Sequence, residues 1–325
     1  MRRSCSPLSL VLLGLGVFLL VLAPMLAWYV EPRAKRTPID INSTTVLAGT
    51  GSYFDQEAVA TKNGQKLTVT RRVLGNVAES EKHDVAVWDV SQTIDNPKTL
   101  KLNDPRKSFQ WTTERWVTDR KTNRPVHCCD EAPTRFAGDA YLKFPFDMEE
   151  RGYTWWDATL GDTVPLSYKG RQKVAGYEGL RYTGAVKEQV KVGARQVPGV
   201  LVGEKDRGQV NAEEWYSNEK IDITVDERTG RILRVSIAPR MVLRAPGGER
   251  DKVTLLQSDK LEFTKKTQRE QVDLARADSD KLELVGETAP VGSAAAGGLL
   301  AVGGGFLVVR GRNRPVGQGA GGSAM

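Results

Sequence analysis

Apolar residues gather at the two ends of this chain, and the long stretch between them alternates apolar with polar positions. No charge occurs from Pro7 to Val30, and the core of this run, LSLVLLGLGVFLLVLAPMLAWYV, covers residues 8–30. A helix needs ~20 apolar residues to cross a bilayer. The long run and the poor cleavage site around Ala27 favour an uncleaved anchor over a signal peptide. We predict a transmembrane helix at 8–30, after a short cytoplasmic N-terminus at 1–7.

A second uncharged run, APVGSAAAGGLLAVGGGFLVV, covers residues 289–309. Its leucines, valines and phenylalanine make it too apolar for a solvated Gly/Ala linker. Small residues recur every four positions, at Ser293, Gly297, Ala301 and Gly305, and this spacing lets a second helix approach closely. The run therefore predicts a second transmembrane helix that packs through these four residues.

Arginines flank the outer end of both runs, and they predict the topology. Basic residues flanking a span tend to stay in the cytoplasm. We therefore expect both termini in the cytoplasm of a cell-membrane protein, a basic and disordered tail at 310–325, and an extracytoplasmic segment at 31–288. The flanking arginines are Arg2, Arg3, Arg310, Arg312 and Arg314.

The segment at 31–288 reads mainly as β-strands, because apolar and polar residues alternate with a period of two. The alternating stretches are 66–73, 84–90, 109–119, 222–227, 231–237 and 252–257. Adjacent charges such as Arg71 and Arg72 place charge on both faces of a strand, which argues against a lipid-facing barrel. A charged helix is predicted at about 265–284. The fold class is a β-rich domain, β-sandwich-like or α+β, held between two transmembrane helices.

Two similar stretches, 117–125 and 224–232, predict hairpin turns. Each carries an aspartate followed three residues later by threonine, and then Asn123 or Gly230. Asn and Gly tolerate the left-handed conformation that a tight turn needs. Hairpin turns draw on few residue types, so the likeness does not establish a duplication.

Net charge excludes one class of partner. The formal charge of +7 suggests nucleic acid, but five of the 47 basic residues flank the spans, whereas all 40 acidic residues lie between them. The middle of the chain is close to neutral, so no nucleic-acid partner is predicted.

PVHCCDE at 125–131 holds two of the three cysteines and one of the two histidines. Zinc needs four ligands, or three and water, and the only other histidine is His83. We therefore predict no metal and no other cofactor. In an oxidising compartment the pattern favours a disulfide between Cys128 and Cys129, or a link from one of them to a second protomer.

Chemistry of other kinds leaves little trace in the sequence. Gly-x-Ser-x-Gly, a Walker loop and a dinucleotide fingerprint are missing, and a hydrolase base is hard to find among two histidines. We predict that the protein is not an enzyme and assign no catalytic residue.

Clustered aromatics are the remaining candidates for a site. Phe144, Phe146, Tyr153, Trp155 and Trp156 lie close together in the sequence. Aromatic side chains line sugar and lipid sites, and they also fill cores. Neighbouring strand residues face opposite ways, so at most one of the two tryptophans enters the main core, and the other needs a second layer, a ligand or a partner. We predict that these five residues bind a ligand.

At these residues the chain resembles the porin PorA family of actinobacterial two-span membrane proteins. The resemblance rests on four motifs between the two spans: 144–146, 153–157, 177–182 and 225–230. It implies an envelope role, brings no catalytic residues with it, and by its name suggests a pore, which two helices form only through oligomerisation.

We therefore expect a membrane-anchored cell-envelope protein, in contact with membrane lipids, whose exterior domain binds a lipid, a glycolipid or an envelope protein partner. One alternative is a porin-like channel component formed by a homo-oligomer. A second is an exterior redox or hydrolytic enzyme centred on His127, Cys128 and Cys129.

Overall fold

The computed structural model describes residues 7–132 and 135–312. Nearly all of the predicted N-terminal segment at 1–7 and of the tail at 310–325 therefore lies outside the described residues. The chain divides into two compact units, one from Arg36 to Asp278 and one made of the terminal segments up to Lys35 and from Ser279 onward.

The unit Arg36–Asp278 is built on one ten-stranded antiparallel sheet. Its strands are β1 (Asn42–Asp55), β2 (Ala60–Gly75), β3 (Val85–Asp95), β4 (Gln110–Asp119), β5 (Tyr153–Asp157), β6 (Asp162–Val174), β7 (Tyr177–Pro198), β8 (Gln209–Val225), β9 (Ile232–Arg244) and β10 (Asp251–Phe263). They pair in the order β4-β3-β2-β1-β10-β9-β8-β7-β6-β5, which leaves β4 and β5 at the two edges. The predicted β-rich fold is confirmed, and its strands form a single sheet.

Six helices complete the described part of the chain. They are α1 (Pro7–Met25), α2 (Glu31–Ala34), α3 (Val77–His83), α4 (Pro97–Leu102), α5 (Lys265–Glu283) and α6 (Ala289–Arg312). π-Helical turns at Leu26–Val30 and Leu284–Thr288 precede α2 and α6, and 3₁₀ turns lie at Pro105–Lys107 and Gly199–Val202. The stretches Pro7–Ala34 and Lys265–Arg310 are long and apolar enough to cross a membrane.

Four turns begin at an aspartate whose carboxylate accepts a backbone hydrogen bond from the residue three positions on. The donor N–H groups lie 3.0 Å away at Ala58, 2.7 Å at Thr122, 3.1 Å at Leu160 and 2.8 Å at Thr229. The fifth residue of each turn has a positive φ, at Val59, Asn123, Gly161 and Gly230. The two predicted hairpin turns are confirmed, and the same device recurs twice more.

The main core takes buried side chains from all ten strands and from the segment between β4 and β5. That segment contributes Phe136, Ala140, Tyr141, Phe144 and Met148. Because its residues cover the edge strand β5, both Trp155 and Trp156 are buried in this core. The expectation that at most one of them enters the core is wrong, since the chain itself supplies the second layer.

The terminal segments form an antiparallel pair of α1 and α6 that touch through small residues. Ser9, Gly16 and Ala23 are the buried residues of α1, spaced seven apart. A Cβ added at Gly16 would collide with the backbone of Ala301, and one added at Gly297 would lie 2.9 Å from the carbonyl oxygen of Gly16. The backbones therefore approach as closely as glycine allows.

The predicted four-residue ladder on α6 needs one correction. Gly297 and Ala301 lie at the contact and Ser293 is half-buried, but a Cβ added at Gly305 would meet nothing within 4 Å. Gly304 takes its place, because a Cβ there would lie 2.6 Å from the backbone nitrogen of Leu13. A helix turns ~100° per residue, so each four-residue step drifts by ~40°, and alternating steps of three and four keep one face in contact.

Candidate functional site: a polar cleft beside a vicinal disulfide

β3 has one face in the main core and presents its other face to the opposite side of the sheet. Val90 and Ile94 point into the main core. The residues that alternate with them face the other way, because successive strand side chains point to opposite faces. On that second face the register pairs Val87 with Val117, Asp89 with Arg115, Ser91 with Thr113, and Thr93 with Trp111. The face is thus apolar at one end and polar along the rest.

The loop that follows β4 covers the apolar end of this face. Val85, Val87 and Val117 form a small buried cluster against which Val126, Cys128 and Cys129 pack. Cys128 and Cys129 are joined in a disulfide between adjacent residues. Cys129 and Asp130 both have positive φ angles, of 59° and 57°. Two successive non-glycine residues in the left-handed region are strained, so the surrounding contacts must hold them there.

Arg115 connects this disulfide loop to the polar part of the face. Its guanidinium donates to both carboxylate oxygens of Asp89, at 2.7 and 3.2 Å, and to the carbonyl oxygen of Cys129 at 3.4 Å. Its backbone pairs with that of Ala132 in both directions, at 2.8 and 3.1 Å. The hydrogen bonds with Asp89 raise the pKa of Arg115. One arginine thus fixes the loop, the strand pair and the adjoining carboxylate.

His127, the other chemically suggestive residue of the loop, is paired with Glu131. Its Nδ1 lies 2.8 Å from Oε1 of Glu131. Within residues 7–132 and 135–312, no group of three or more His, Cys, Asp or Glu side chains is placed to hold a metal ion. His127 is paired with the carboxylate of Glu131, and the two cysteines are bonded to each other. Both interactions lie within the loop after β4 and fix its conformation.

A cleft of about 780 Å³ lies along the polar part of the face. β2, β3 and β4 form its floor, α4 with the residues that follow it closes one end, and the disulfide loop closes the other through Asp130 and Ala132. Small-molecule sites in proteins usually enclose ~300–1,000 Å³. The charged residues lining the cleft are Arg72, Asp89, Asp95, Asp104, Glu114, Arg115 and Asp130.

Asp95 is the least ordinary residue of this cleft. It lines the cavity, yet only 4% of its surface is exposed. In the described part of the chain, no group donates a hydrogen bond to its Oδ1. Burying a polar atom without a partner costs free energy, so a group that donates a hydrogen bond to this oxygen would offset that cost.

Trp111 lies on the same face as the cleft and is 47% exposed. Its indole Nε1 donates to Oγ of Ser91, a cleft residue, at 3.0 Å. Neither Trp111 nor Asp95 is among the site residues predicted from the sequence. The alternation of β3 and β4 places them on the polar face, but only the positions of α4 and the disulfide loop turn that face into a cleft.

The five aromatics predicted to bind a ligand lie elsewhere. Phe144, Tyr153, Trp155 and Trp156 are buried in the main core. Phe146 is half-buried, with the amine of Lys143 3.6 Å above its ring. Packing accounts for the four core residues without a ligand, and ligand binding by the group of five stays a prediction.

The motifs that carry the family resemblance meet at one junction. The segment 143–148 lies against the turn 226–230, with Phe144 N–H donating to Gly230 O at 2.8 Å and Met148 N–H to Glu227 O at 2.7 Å. Tyr177 donates to the Asp226 carboxylate at 2.7 Å. The junction encloses Lys143, and burial lowers the pKa of its amine to about 7. These contacts make the junction a structural centre of the sheet.

The two apolar helices and the antiparallel sheet domain are those of a membrane-type protein with a β-rich globular part. The sequence model of the family described as Porin PorA matches residues 8–306, which is most of the chain. The chain belongs to this family, and the match supports a porin-type membrane protein. No curated protein matches the sequence.

Proposed function

We propose that this protein is a two-span anchor of the cell envelope whose sheet domain lies outside the cytoplasm and binds an envelope ligand in the cleft. Both termini then lie in the cytoplasm, as the flanking arginines favour. The ligand is a lipid, a glycolipid or a partner molecule of the envelope. Its role is binding, and the proposal includes no catalytic step.

One observation carries this proposal: the 780 Å³ cleft on the sheet face opposite the main core. Its floor is made of three hydrogen-bonded strands, of which β2 and β3 are paired on both sides, and this pairing holds the lining residues in fixed positions. Rigid strands with convergent polar groups are typical of preformed binding sites. The junction of family motifs, by contrast, is filled by its own side chains and serves the fold.

Lipid mass spectrometry of the full chain, extracted in mild detergent, tests the proposal. A cleft-filling variant, Thr113→Trp, should lose the co-purifying molecule, while Thr44→Trp should retain it. Both threonines are exposed strand residues, but only Thr113 lines the cleft. An identical set of molecules on all three proteins, or none on any, would count against a ligand in the cleft.

A channel is the second candidate, favoured by the family to which the chain belongs. Each terminal helix keeps apolar side chains exposed beside its contact with the other, including Phe18 and Val302. A ring of such helix pairs could enclose a pore. The full chain in planar bilayers should then give discrete conductance steps, and silence over a range of voltages and protein amounts would eliminate this candidate.

A further inference from the structure

We propose that the cleft takes an uncharged, hydroxyl-rich ligand, namely a sugar or the sugar headgroup of a glycolipid. This deepens the proposed function and rests on it, since it names the ligand class of the same cleft. Four features carry the inference: a buried acceptor, an acidic charge balance and a row of hydroxyl groups in the lining, and an exposed indole beside the cleft.

The buried acceptor is Asp95. Its carboxylate faces the same side of β3 as Asp89 and Ser91, because the three are separated by even steps along the strand. Its Oδ1 is buried and accepts no hydrogen bond from the described residues. A ligand hydroxyl that donates to this oxygen would satisfy it, whereas a ligand without donors would leave it unpaired.

Trp111 supplies the apolar contact. The bond from its Nε1 to Ser91 fixes the indole beside the cleft, and nearly half of the side chain remains exposed. A sugar ring presents a face of C–H groups between its hydroxyls, and an indole that has a fixed edge and an open face suits it. A free acyl chain would gain from Trp111 but not from the polar floor.

The charge of the lining disfavours a phosphate headgroup, which is the main alternative ligand. Five acidic and two basic residues line the cleft, but the carboxylate of Glu114 accepts from Tyr141 in the main core, which leaves four acids against two bases. Of the two bases, Arg115 is already bonded to both carboxylate oxygens of Asp89. A phosphate would therefore meet more negative than positive charge, and repulsion disfavours it. An uncharged headgroup meets no such barrier.

Four small hydroxyl side chains line the floor beside the apolar Leu74 and Val90. They are Thr70, Ser91, Thr93 and Thr113. A hydroxyl both donates and accepts, so a row of them adapts to the mixed donors and acceptors of a sugar.

The experiment uses the full chain in nanodiscs of phosphatidylcholine, free of glycoside detergents. Soluble neutral disaccharides are tested by saturation-transfer NMR and calorimetry, with inorganic phosphate as the charged comparator. We expect disaccharide binding without phosphate binding, and a loss of affinity of at least roughly tenfold in Asp95→Asn and in Trp111→Ala. The matched controls, Asp162→Asn and Trp215→Ala, lie outside the cleft and should retain the affinity.

Thermal unfolding separates a binding role of Asp95 from a structural one. Asparagine has the same shape and removes the buried charge, so Asp95→Asn should unfold at the same or a higher temperature while losing the sugar. A lower unfolding temperature with unchanged sugar affinity would overturn the proposal.

A second arm distinguishes a free sugar from a headgroup. Nanodiscs doped with a glycosyl diacylglycerol should compete with the disaccharide if the natural source is a glycolipid, and the proposal stands with or without this competition. If neither free sugar nor glycolipid binds, the proposal is overturned. In that case the proposed function still stands if lipid mass spectrometry finds a molecule that co-purifies with the parent protein and not with Thr113→Trp. If no molecule co-purifies, the proposed function is overturned together with the sugar proposal.

Discussion

The backbone N–H of Phe144 donates a hydrogen bond of 2.8 Å to the carbonyl oxygen of Gly230, so the segment from β4 to β5 lies directly on the turn between β8 and β9. A Cβ at position 230 would collide with the carbonyl oxygens of Phe144 and Pro145. Glycine is required there both for its positive φ and for its lack of a side chain.

Gly230→Ala should therefore destabilise far more than the same change at Gly161. The two glycines have φ angles of +70° and +69°, but nothing lies within 4 Å of a Cβ at Gly161. Both substitutions place alanine at a positive φ angle, so both carry the same conformational cost. Only the substitution at Gly230 adds a steric collision. We expect Gly230→Ala to lose at least ~3 kcal/mol more than Gly161→Ala in chemical unfolding. Equal losses would show that the segment does not press on this turn.

Arg115→Ala should loosen the disulfide loop. The variant loses two bonds to Asp89 and the bond to Cys129 O. The pair is partly exposed, so solvent screening limits the loss to roughly 1 kcal/mol. Hydrogen exchange should rise in residues 125–132. Arg106→Ala removes an exposed arginine that pairs with Asp104 two residues away, and it should leave both the stability and the loop unchanged.

The contact between α1 and α6 should tolerate alanine at one glycine and not at its neighbour. A Cβ at Gly16 would collide with α6, whereas one at Gly14 meets nothing within 4 Å. Overpacking costs ~1–3 kcal/mol, and alanine in a helix regains up to ~1 kcal/mol over glycine. Thermal unfolding in detergent should therefore show a loss for Gly16→Ala and a small gain for Gly14→Ala. A gain in both variants would mean that the helices do not meet at Gly16.

Lys143 should give the free energy of unfolding a specific pH dependence. Burial lowers the pKa of its amine from 10.5 to about 7 in the folded protein. The unfolded chain therefore binds more protons across that window, and the contribution of Lys143 to stability rises with pH between those two values. Lys143→Met should be more stable than the parent below the window, by on the order of a few kcal/mol, and the gap should narrow as pH rises.

A surface control completes that comparison. Lys62 is an exposed lysine of the same unit, so Lys62→Met reports the loss of one charge without any change in burial. Chemical unfolding at a series of pH values gives the difference directly. A gap between Lys143→Met and the parent that does not change with pH would contradict a buried, largely uncharged amine.

The bond between Cys128 and Cys129 should appear as an intramolecular link in peptide mapping under non-reducing conditions. The disulfide joins adjacent residues and closes no long loop. Replacing both cysteines with serine should therefore cost the folded state well below the ~3 kcal/mol that a disulfide closing a 15-residue loop contributes. Relaxation of the left-handed backbone at Cys129 and Asp130 should move Asp130 at the end of the cleft and lower the affinity for the proposed ligand. A dimeric band that reductant removes, and that persists in a Cys5→Ser variant, would contradict the intramolecular bond.

Local patterns were enough for several elements of the fold. Alternation predicted parts of β2, β3, β4, β8, β9 and β10, because apolar and polar residues alternate along these stretches. It did not reveal β5, whose residues are buried on both faces, or the long β7, where polar residues dominate. The small residues of α6 predicted a close contact with another helix. The four-residue spacing placed one contact at Gly305, but Gly304 lies at the contact because the helix rotates by ~100° per residue.

The sequence by itself determined the apolar helices, the β-rich middle and the Asp-led turns, because each depends on residues near one another in the chain. Only the tertiary structure decided which aromatics are core and where a cleft forms. Asp95 and Trp111 look ordinary in sequence, since their significance depends on strand register and on the loops that close over one face of the sheet. Burial and cavity shape arise from contacts between distant segments, and local periodicity carries no record of them.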